Sequence, residues 1–285
     1  MSAAPRAEPA AARSTRAPLR EVIRRHGLRA DKRFGQHFLL DLNLTARIAR
    51  AAGALAAGTT SEIGPGPGGL TRALLDAGAG RVIAIEKDTR CIDALNELAA
   101  DAGGRLEIVN GDALTIDAAR LGAPPRRIVA NLPYNVGTPL LIGWLRAIDD
   151  FESLTLMFQK EVATRLAAPS GGRDYGRLSV LAQYQADVRA LFDIPARAFT
   201  PPPKVDSTVV RLIPRRAREP IPGLAALEAV TAAAFGQRRK MLRASLKSLG
   251  GDPAVLLAAA NLAPTARAET IDVAGFAALA RAYAG

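Results

Sequence analysis

The sequence predicts an α/β fold built on a mostly parallel, seven-stranded sheet, followed by a small all-helical domain. Three observations lead to this prediction. From about residue 59, short runs rich in β-branched residues alternate with helical patterns, which is typical of βαβ units and a parallel sheet. A glycine-rich loop follows the first of these runs. Beyond about residue 220, every hydrophobic pattern is helical.

Composition and spacing divide the alternating region into individual elements. Helical patterns fill the stretches 70–77, 89–100 and 139–147. Because no clear helix separates the last two strands, we expect the sheet to end in an antiparallel pair. The predicted strands cover residues 59–63, 81–85, 105–109, 127–130, 154–158, 188–194 and 208–213.

The chain divides into three parts by composition. Residues 1–18 are rich in Ala, Arg and Pro, and are predicted to form a disordered basic tail, with an organelle transit peptide as the alternative. Residues 19–218 are predicted to form the α/β domain. A linker with prolines and arginines at 214–222 leads into the helical domain, residues 219–285.

The formal net charge of +11 favours polyanionic partners, because Lys and Arg release counterions from phosphate backbones. An anionic membrane surface is the alternative, but no basic amphipathic anchor is evident. No apolar run approaches the ~20 residues that a membrane helix needs. The single cysteine, Cys91, excludes an internal disulfide and fits a reducing compartment. We therefore expect a soluble, cytoplasmic protein in which Cys91 has a packing role.

The glycine-rich loop lies between the first predicted strand and a helix. Gly64, Gly66 and Gly69 satisfy the pattern G-x-G-x-x-G, in which glycines permit a sharp turn and a close approach of ligand to the main chain. Glu86 ends the second strand, where a carboxylate can accept hydrogen bonds from both ribose hydroxyls of a nucleoside. These features predict a Rossmann-like fold that binds an adenosine-containing cofactor.

Three details favour S-adenosylmethionine over a nicotinamide dinucleotide. Glu62, directly before the loop, suits a cationic amino-acid ligand and would repel a pyrophosphate. Pro65 and Pro67 remove amide donors that a pyrophosphate would use. Asp112, after the third strand, can accept a hydrogen bond from the adenine amine. The alternative for Asp112 is that it only caps the following turn.

The fourth strand ends in Asn131, Leu132, Pro133 and Tyr134, at the sheet edge where open α/β folds bind ligands. An adenine amine is a poor nucleophile because its lone pair is delocalised into the ring. The side-chain oxygen of Asn131 and the carbonyl of Leu132 can grip both N–H groups and aim the lone pair at a methyl group. Pro133 stiffens the loop, and Tyr134 offers a stacking face for the base. A plain turn is the alternative. No metal site is predicted.

These motifs and others, in the same order, resemble the bacterial small-subunit rRNA adenine N6,N6-dimethyltransferases, the kasugamycin-resistance dimethylases. The resemblance runs from about residue 30 to the C-terminus. The motifs that carry it are GQHFL at 35–39, GPGPGG at 64–69, IE at 85–86, GDA at 111–113, NLPYN at 131–135, QKEV at 159–162, YGRLSV at 175–180, AFTPPPKVDS at 198–207 and FGQRRKMLR at 235–243.

The resemblance implies an S-adenosylmethionine-dependent methyltransferase fold whose product is two adjacent dimethyladenosines in the hairpin loop near the 3′ end of 16S rRNA, made on the immature 30S subunit by a monomer. Phe199 is implied to complete a stacking sandwich with Tyr134, and its position before three prolines favours exposure; a core position is the alternative that its residue type alone favours. His37 departs from the family, which more often has Asn at this position. The cofactor pocket is implied to be lined by His37, Leu39, Gly64, Glu86, Asp112 and Asn131.

Basic residues of the C-terminal domain are predicted to lie along one helix and to face RNA phosphates. An apolar stripe of Leu242, Leu246 and Leu249 is expected to dock this helix on its own domain. A merely solvated charged face is the alternative. The predicted RNA-binding residues are Arg238, Arg239, Lys240, Arg243 and Lys247.

Three other functions compete with the dimethyltransferase. A nicotinamide-dependent dehydrogenase explains the glycine loop and Glu86 but leaves Asn131–Tyr134 unexplained. A non-catalytic RNA-binding assembly factor is disfavoured by the intact Glu86, Asp112 and Asn131. A methyltransferase of the macrolide-resistance type, acting on large-subunit rRNA, is the nearest rival, and residues 200–207 and 238–243 favour the small-subunit enzyme.

Overall fold

The computed structural model describes residues 16–31 and 35–285. The strands are β1 (Phe38–Leu39), β2 (Thr59–Ile63), β3 (Val82–Glu86), β4 (Leu106–Asn110), β5 (Arg126–Asn131), β6 (Ser153–Gln159), β7 (Ala186–Ile194), β8 (Phe199–Thr200) and β9 (Ser207–Pro214). The helices are α1 (Leu19–Arg25), α2 (Leu42–Ala51), α3 (Gly69–Asp76), α4 (Ile92–Ala100), α5 (Gly137–Arg146), α6 (Lys160–Ala167), α7 (Arg177–Gln185), α8 (Leu224–Gly236), α9 (Leu242–Ser245), α10 (Pro253–Ala259) and α11 (Val273–Ala284).

The main sheet has the strand order β4-β3-β2-β5-β6-β9-β7. Strands β2 to β6 are parallel, whereas β9 runs antiparallel to both β6 and β7. The predicted mostly parallel, seven-stranded sheet with an antiparallel finish is therefore confirmed. Strand order reverses between β2 and β5, so their carboxyl ends form the crevice in which open α/β sheets bind ligands.

The inner strands are buried on both faces, as a parallel sheet covered by helices requires. Every residue of β2 and β3 is buried. Along β3 the side chains alternate between two apolar clusters, with Ile83 and Ile85 in one and Val82 and Ala84 in the other. The first cluster continues through α5 and α7 into the C-terminal helices, and the second contains α2 and α3.

Helices α8 to α11 make up the C-terminal region, which confirms its predicted all-helical character. Tyr175, before α7, packs edge-on against Phe235 of α8, and Phe235 stacks on Phe276 of α11. In the predicted linker, Arg216 and Arg218 both pair with Asp149. The boundary between residues 218 and 219 stays a prediction, because the apolar cluster crosses it without a break.

Residues 1–15 of the predicted tail lie outside the described residues. The prediction is wrong for its last three residues, which contact the folded chain. Arg16 pairs with Asp76 at 2.7 Å, and the carbonyl of Ala17 accepts a hydrogen bond from Arg72 at 2.6 Å. Pro18 then precedes α1 directly. The ordered chain therefore begins no later than Arg16.

The single basic helix predicted for Arg238, Arg239, Lys240, Arg243 and Lys247 is also wrong. Helix α8 ends at Gly236, and the chain turns through residues 237–240 before the short α9. A tertiary contact causes the break: Met241 forms an antiparallel bridge with Arg267, and Leu242 N–H donates to the carbonyl of Ala266 at 2.8 Å. The apolar stripe itself is confirmed, because Leu242 and Leu246 are buried and Leu249 packs against the core.

Cys91 is a buried free cysteine, as predicted for a packing role. Burial raises the pKa of its thiol to about 12. In the part of the chain that the structure describes, no helix has the length and apolar character needed to cross a membrane.

Candidate active site

A cavity lies at the carboxyl ends of β2, β3 and β5, at the point where the strand order reverses. Strand β1 and the residues before it close one side of this cavity. The cavity brings together every cofactor residue predicted from the sequence and the whole Asn131–Tyr134 loop. Its predicted lining residues are His37, Leu39, Gly64, Gly66, Glu86, Asp112, Asn131, Leu132, Pro133 and Tyr134.

The glycine-rich loop needs its glycines at two positions in particular. Gly66 has a φ of +55° and Gly68, the N-cap of α3, has a φ of +85°, a region that residues with a Cβ rarely adopt. A Cβ on Gly66 would also meet the ring of Phe38 at 3.4 Å. At Gly64, Gly66 and Gly69 the main chain therefore lines the cavity without a side chain of its own between it and a ligand.

Glu86 is fixed by backbone donors on both of its oxygens. Gly66 N–H donates to Oε2 at 2.9 Å, and Asp88 N–H donates to Oε1 at 2.8 Å. The side chain is buried, and burial raises its pKa despite these hydrogen bonds. Each oxygen keeps a further lone pair, so the carboxylate can accept from two hydroxyls of a bound nucleoside.

Glu62 is a buried carboxyl in the cavity that lacks a hydrogen-bond donor on one oxygen among the described residues. Its exposed fraction is 1%, and the oxygen in question is Oε2. Burial is the main cause that raises the pKa of this carboxyl to about 8, and the nearby Glu86 adds to it. A ligand ammonium would supply both the missing donor and the missing positive charge.

Asp112 caps the following turn, which was one of its two predicted roles, and its cavity position leaves the other role, contact with an adenine amine, as a prediction. It lines the cavity, and its Oδ1 accepts from Leu114 N–H at 3.0 Å, as a turn cap does. Its other oxygen accepts from Lys87 Nζ at 2.7 Å. That contact with Lys87 is the main cause that lowers the pKa of Asp112. Lys87 is a site neighbour that sequence reasoning missed, although it directly follows Glu86.

The Asn131–Tyr134 loop begins at the last residue of β5. Asn131 Nδ2 lies 3.4 Å from the carbonyl oxygen of His37, which orients the carboxamide with its nitrogen toward the β1 segment. Tyr134 hydroxyl and Ser207 Oγ are hydrogen bonded at 2.6 Å. Burial raises the pKa of Tyr134, so its hydroxyl stays protonated near neutral pH. No role was predicted for Ser207, although it belongs to the 198–207 motif.

With this geometry established, comparison with known proteins assigns the family. The family model described as "Ribosomal RNA adenine dimethylase" matches residues 27–284. The chain belongs to the ribosomal RNA adenine dimethylase family. The predicted dehydrogenase alternative is thereby excluded.

Two relatives align with this dimethylase along nearly their whole length. It is 67% identical over 265 residues to the ribosomal RNA small subunit methyltransferase A of Rhodospirillum rubrum, covering 93% of this chain and 92% of that protein. The Paramagnetospirillum magneticum protein of the same name is 66% identical, with 93% and 94% covered.

Two solved structures share the fold of the dimethylase. A dimethyladenosine transferase from Plasmodium falciparum superimposes with a TM-score of 0.72 at 26% identity, covering 85% of this chain and 96% of that one. The 23S rRNA methyltransferase ErmE superimposes with a TM-score of 0.65 at 27% identity, covering 87% and 100%. The predicted Rossmann-like methyltransferase fold with a C-terminal helical region is confirmed.

The exposed position predicted for Phe199 is not found in the dimethylase. Strand β8 pairs antiparallel with β1, which places Phe199 opposite Leu39. Neighbouring side chains of a strand point to opposite faces, so Thr200 takes the exposed side and Phe199 enters the core. Its exposed fraction is 2%, in an apolar cluster with Leu39 and Val209. In this structure Phe199 therefore offers no face to a base.

The predicted RNA-binding residues fall into two groups. Arg239, Lys240, Arg243 and Lys247 are exposed. Arg238 is partly buried, and its Nη2 donates to the carbonyl of Arg173 at 2.7 Å and more weakly to that of Gly172. These contacts connect the turn after α8 to the loop before α7.

Two exposed arginines near that turn were missed by the sequence reasoning. Arg173 is brought there by its contact with Arg238, and Arg267 by its bridge to Met241. Both lie in loops far along the chain from residues 238–247. No helical or strand pattern in the sequence marks either of them.

Proposed function

We propose that this dimethylase transfers methyl groups from S-adenosylmethionine to N6 of two adjacent adenosines in the 3′-terminal hairpin loop of 16S rRNA, on the immature 30S subunit. We propose further that it works as a monomer in the cytoplasm, where small subunits are assembled. The observation that carries the proposal is the position of the Asn131–Tyr134 loop, which shares one cavity with the glycine-rich loop, Glu62 and Glu86.

The cavity residues fit S-adenosylmethionine in charge and in shape. The buried Oε2 of Glu62, which has no hydrogen-bond partner in the part of the chain that the structure describes, suits the ammonium of the methionine moiety. The fixed carboxylate of Glu86 suits the two ribose hydroxyls, and the oxygens of Asp112 suit the adenine amine. When bound, this cofactor supplies an electrophilic methyl group. A side chain at Gly66 would crowd the ring of Phe38, which lines the same cavity.

The Asn131–Tyr134 loop suits the other substrate, an unstacked adenine. The carboxamide oxygen of Asn131 and the carbonyl of Leu132 would accept both N–H groups of the amine, which favours a tetrahedral nitrogen with an available lone pair. Tyr134 would stack on the base, a contact worth roughly 1–3 kcal/mol. Its hydrogen bond to Ser207 sets the ring orientation. Positioning of this kind supplies much of the rate in group transfer.

Sequence identity to the relatives favours small-subunit rRNA over large-subunit rRNA as the substrate. The relatives named small subunit methyltransferase A are 66–67% identical to this chain, whereas ErmE, a 23S rRNA methyltransferase, is 27% identical. The exposed basic residues after α8 support binding to an RNA of either subunit, because phosphate contacts carry no sequence information. The choice of subunit therefore depends on the relatives.

The direct test is a methyl-transfer assay on immature small subunits and on protein-free 23S rRNA, with mass spectrometry of the product nucleosides. We expect two dimethylated adenosines in the small-subunit rRNA. Asn131→Ala should lower turnover at least 100-fold, since loss of one transition-state contact commonly costs about that much. Asn96→Ala, on the exposed face of α4, is the matched control and should be fully active. Full activity of Asn131→Ala, or product only in 23S rRNA, would reject the proposal.

A further inference from the structure

We propose that the side chain of His37 is a positioning residue for the target base: it holds Tyr134 and the proline loop that begins at Pro201 in the arrangement that receives the adenine. This inference rests on the proposed function and adds a residue to it. The family resemblance implies only a place in the cofactor pocket for this residue.

The fold places His37 between two segments that are distant in sequence. In the antiparallel pair of β1 and β8, Phe38 faces Thr200 and Leu39 faces Phe199. One step further along the same register, His37 faces Pro201. The main chain of His37 also meets the catalytic loop, because its carbonyl oxygen lies 3.4 Å from Asn131 Nδ2.

The imidazole is oriented by a short hydrogen bond to the proline loop. His37 Nδ1 lies 2.7 Å from the carbonyl oxygen of Pro201. A carbonyl oxygen only accepts, so Nδ1 carries the hydrogen and donates it. In the neutral ring this fixes Nε2 as the unprotonated nitrogen. The bond fixes the distance between His37 and Pro201 and limits rotation of the ring.

The same imidazole lies beside the proposed platform for the base. The ring centroids of His37 and Tyr134 are 5.5 Å apart, with an angle of 33° between the ring planes. Tyr134 is therefore held at its hydroxyl by Ser207 and along its ring by His37. Phe199 is buried and cannot contribute to this wall. Of these residues, Tyr134 and His37 line the cavity, and Pro201 holds the imidazole of His37 from behind through its carbonyl oxygen.

An asparagine at position 37 would keep a polar group but lose the ring, and a phenylalanine would keep the ring but lose the donor. These two substitutions therefore separate the two contacts of His37. His26→Asn is the matched control, since His26 directly follows α1, pairs with Glu97 and is not among the residues that line the cavity. Binding of S-adenosylhomocysteine and single-turnover methylation of small-subunit rRNA are measured for all three variants.

We expect His37→Asn and His37→Phe each to lower the methylation rate about tenfold, because small errors in placing reacting groups cost large factors in rate. The affinity for S-adenosylhomocysteine should stay within about twofold of wild type, since neither contact of the side chain involves the cofactor residues Glu62, Glu86 or Asp112. A parallel loss of cofactor affinity, or wild-type rates in both variants, would overturn the inference.

A second readout separates this inference from the substrate assignment. Crystals of wild type and His37→Asn with S-adenosylhomocysteine should differ in the placement of the Tyr134 ring and of Pro201. Unchanged positions of both would refute the positioning role, whatever RNA the wild type modifies. An inactive wild type with a displaced Tyr134 ring in His37→Asn would instead refute the proposed substrate and leave the positioning role supported.

Discussion

The two halves of the active-site cavity are built in different ways. The half proposed for the cofactor, here the cofactor half, consists of strand ends and the loops that follow them directly, with Glu86 held by two backbone N–H groups and Glu62 buried in β2. The base half is assembled from segments far apart in the chain, which meet through single side-chain contacts at His37, Tyr134 and Ser207. The sheet therefore fixes the cofactor half, whereas the base half has Asn131 and Ser207 on sheet strands but also depends on the contact of His37 with the proline loop.

This difference predicts that substitutions in the cofactor half act first on ligand affinity and stability, and those in the base half on turnover. Replacing Glu86 should have the largest effect. Hydrogen bonds to charged groups are worth about 1.5–3 kcal/mol each, so Glu86→Gln should weaken S-adenosylhomocysteine binding roughly 100-fold by calorimetry. Glu107→Gln, on the exposed face of the neighbouring strand β4, is the control and should bind normally. Equal affinities for the two variants would contradict the assignment of Glu86.

Glu62 should make the stability of the free protein depend on pH. Burial raises its pKa in the folded state to about 8, above the ordinary 4.5 of a glutamate. A carboxyl with a raised pKa stabilises the fold fully below the unfolded value, and this contribution is lost as pH rises from 4.5 through 8. Between pH 5 and 9, wild type should therefore lose on the order of a few kcal/mol relative to Glu62→Gln. Denaturant unfolding at several pH values measures this, and parallel curves would disprove it.

The same group should release a proton when the cofactor binds. A ligand ammonium beside Glu62 lowers the pKa of the carboxyl, because an opposite charge favours the ionised form. At pH 7 the binding of S-adenosylhomocysteine should thus release close to one proton, seen as a dependence of the calorimetric enthalpy on the buffer. Glu62→Gln should show much less release. A wild type without buffer dependence would argue against a cationic ligand group at this position.

The basic turn after α8 allows a comparison of neighbouring arginines. Arg239→Ala should weaken RNA binding several-fold and reduce the slope of log K against log salt by about one charge equivalent. Arg238→Ala should instead lower the thermal stability by about 1–2 kcal/mol, because it removes the donors to the carbonyls of Gly172 and Arg173. Filter binding at several salt concentrations and calorimetric melting test the pair. Identical profiles for the two variants would show that their different burial has no consequence.

The smallest expected effect concerns the bond between Tyr134 and Ser207. Removing either hydroxyl, by Tyr134→Phe or Ser207→Ala, should cost about 1 kcal/mol and slow methylation a few-fold, with cofactor affinity unchanged. The double variant should be no slower than the worse single one, since both substitutions remove one shared contact. Additive losses in rate would show that the two side chains act separately.

The sequence predicted the parts of the molecule that local patterns determine. The strand interiors and the glycine loop carry their own signals in β-branched runs and in spacing, so Glu62, Gly64 and Glu86 were placed correctly from the sequence. The β1–β8 pair has no such signal, because two residues are too few for a periodicity. The burial of Phe199 and the contacts of His37 follow from that pair: residue type offered a core position for Phe199 only as an alternative, and nothing in the sequence indicated the contacts of His37.

The helical break after α8 had a similar cause. Residues 238–247 have a helical pattern, but the bridge between Met241 and Arg267 overrides it. A long-range backbone contact of this kind depends on where the 264–267 loop lies in space. It also explains why Arg173 and Arg267 were missed, since their neighbours in the fold are remote in the chain.

The arginines of the linker have a consequence for how an RNA is selected. Arg216 and Arg218 fasten the linker to Asp149 on one side, and Arg238 fastens the opposite side to the loop before α7. The segment that carries the exposed cations beyond α8 is thus joined to the α/β part of the chain at two places. We expect this arrangement to select RNAs by shape. An RNA should be accepted only when the distance between its unpaired bases and its backbone phosphates equals the distance between the cavity and these cations.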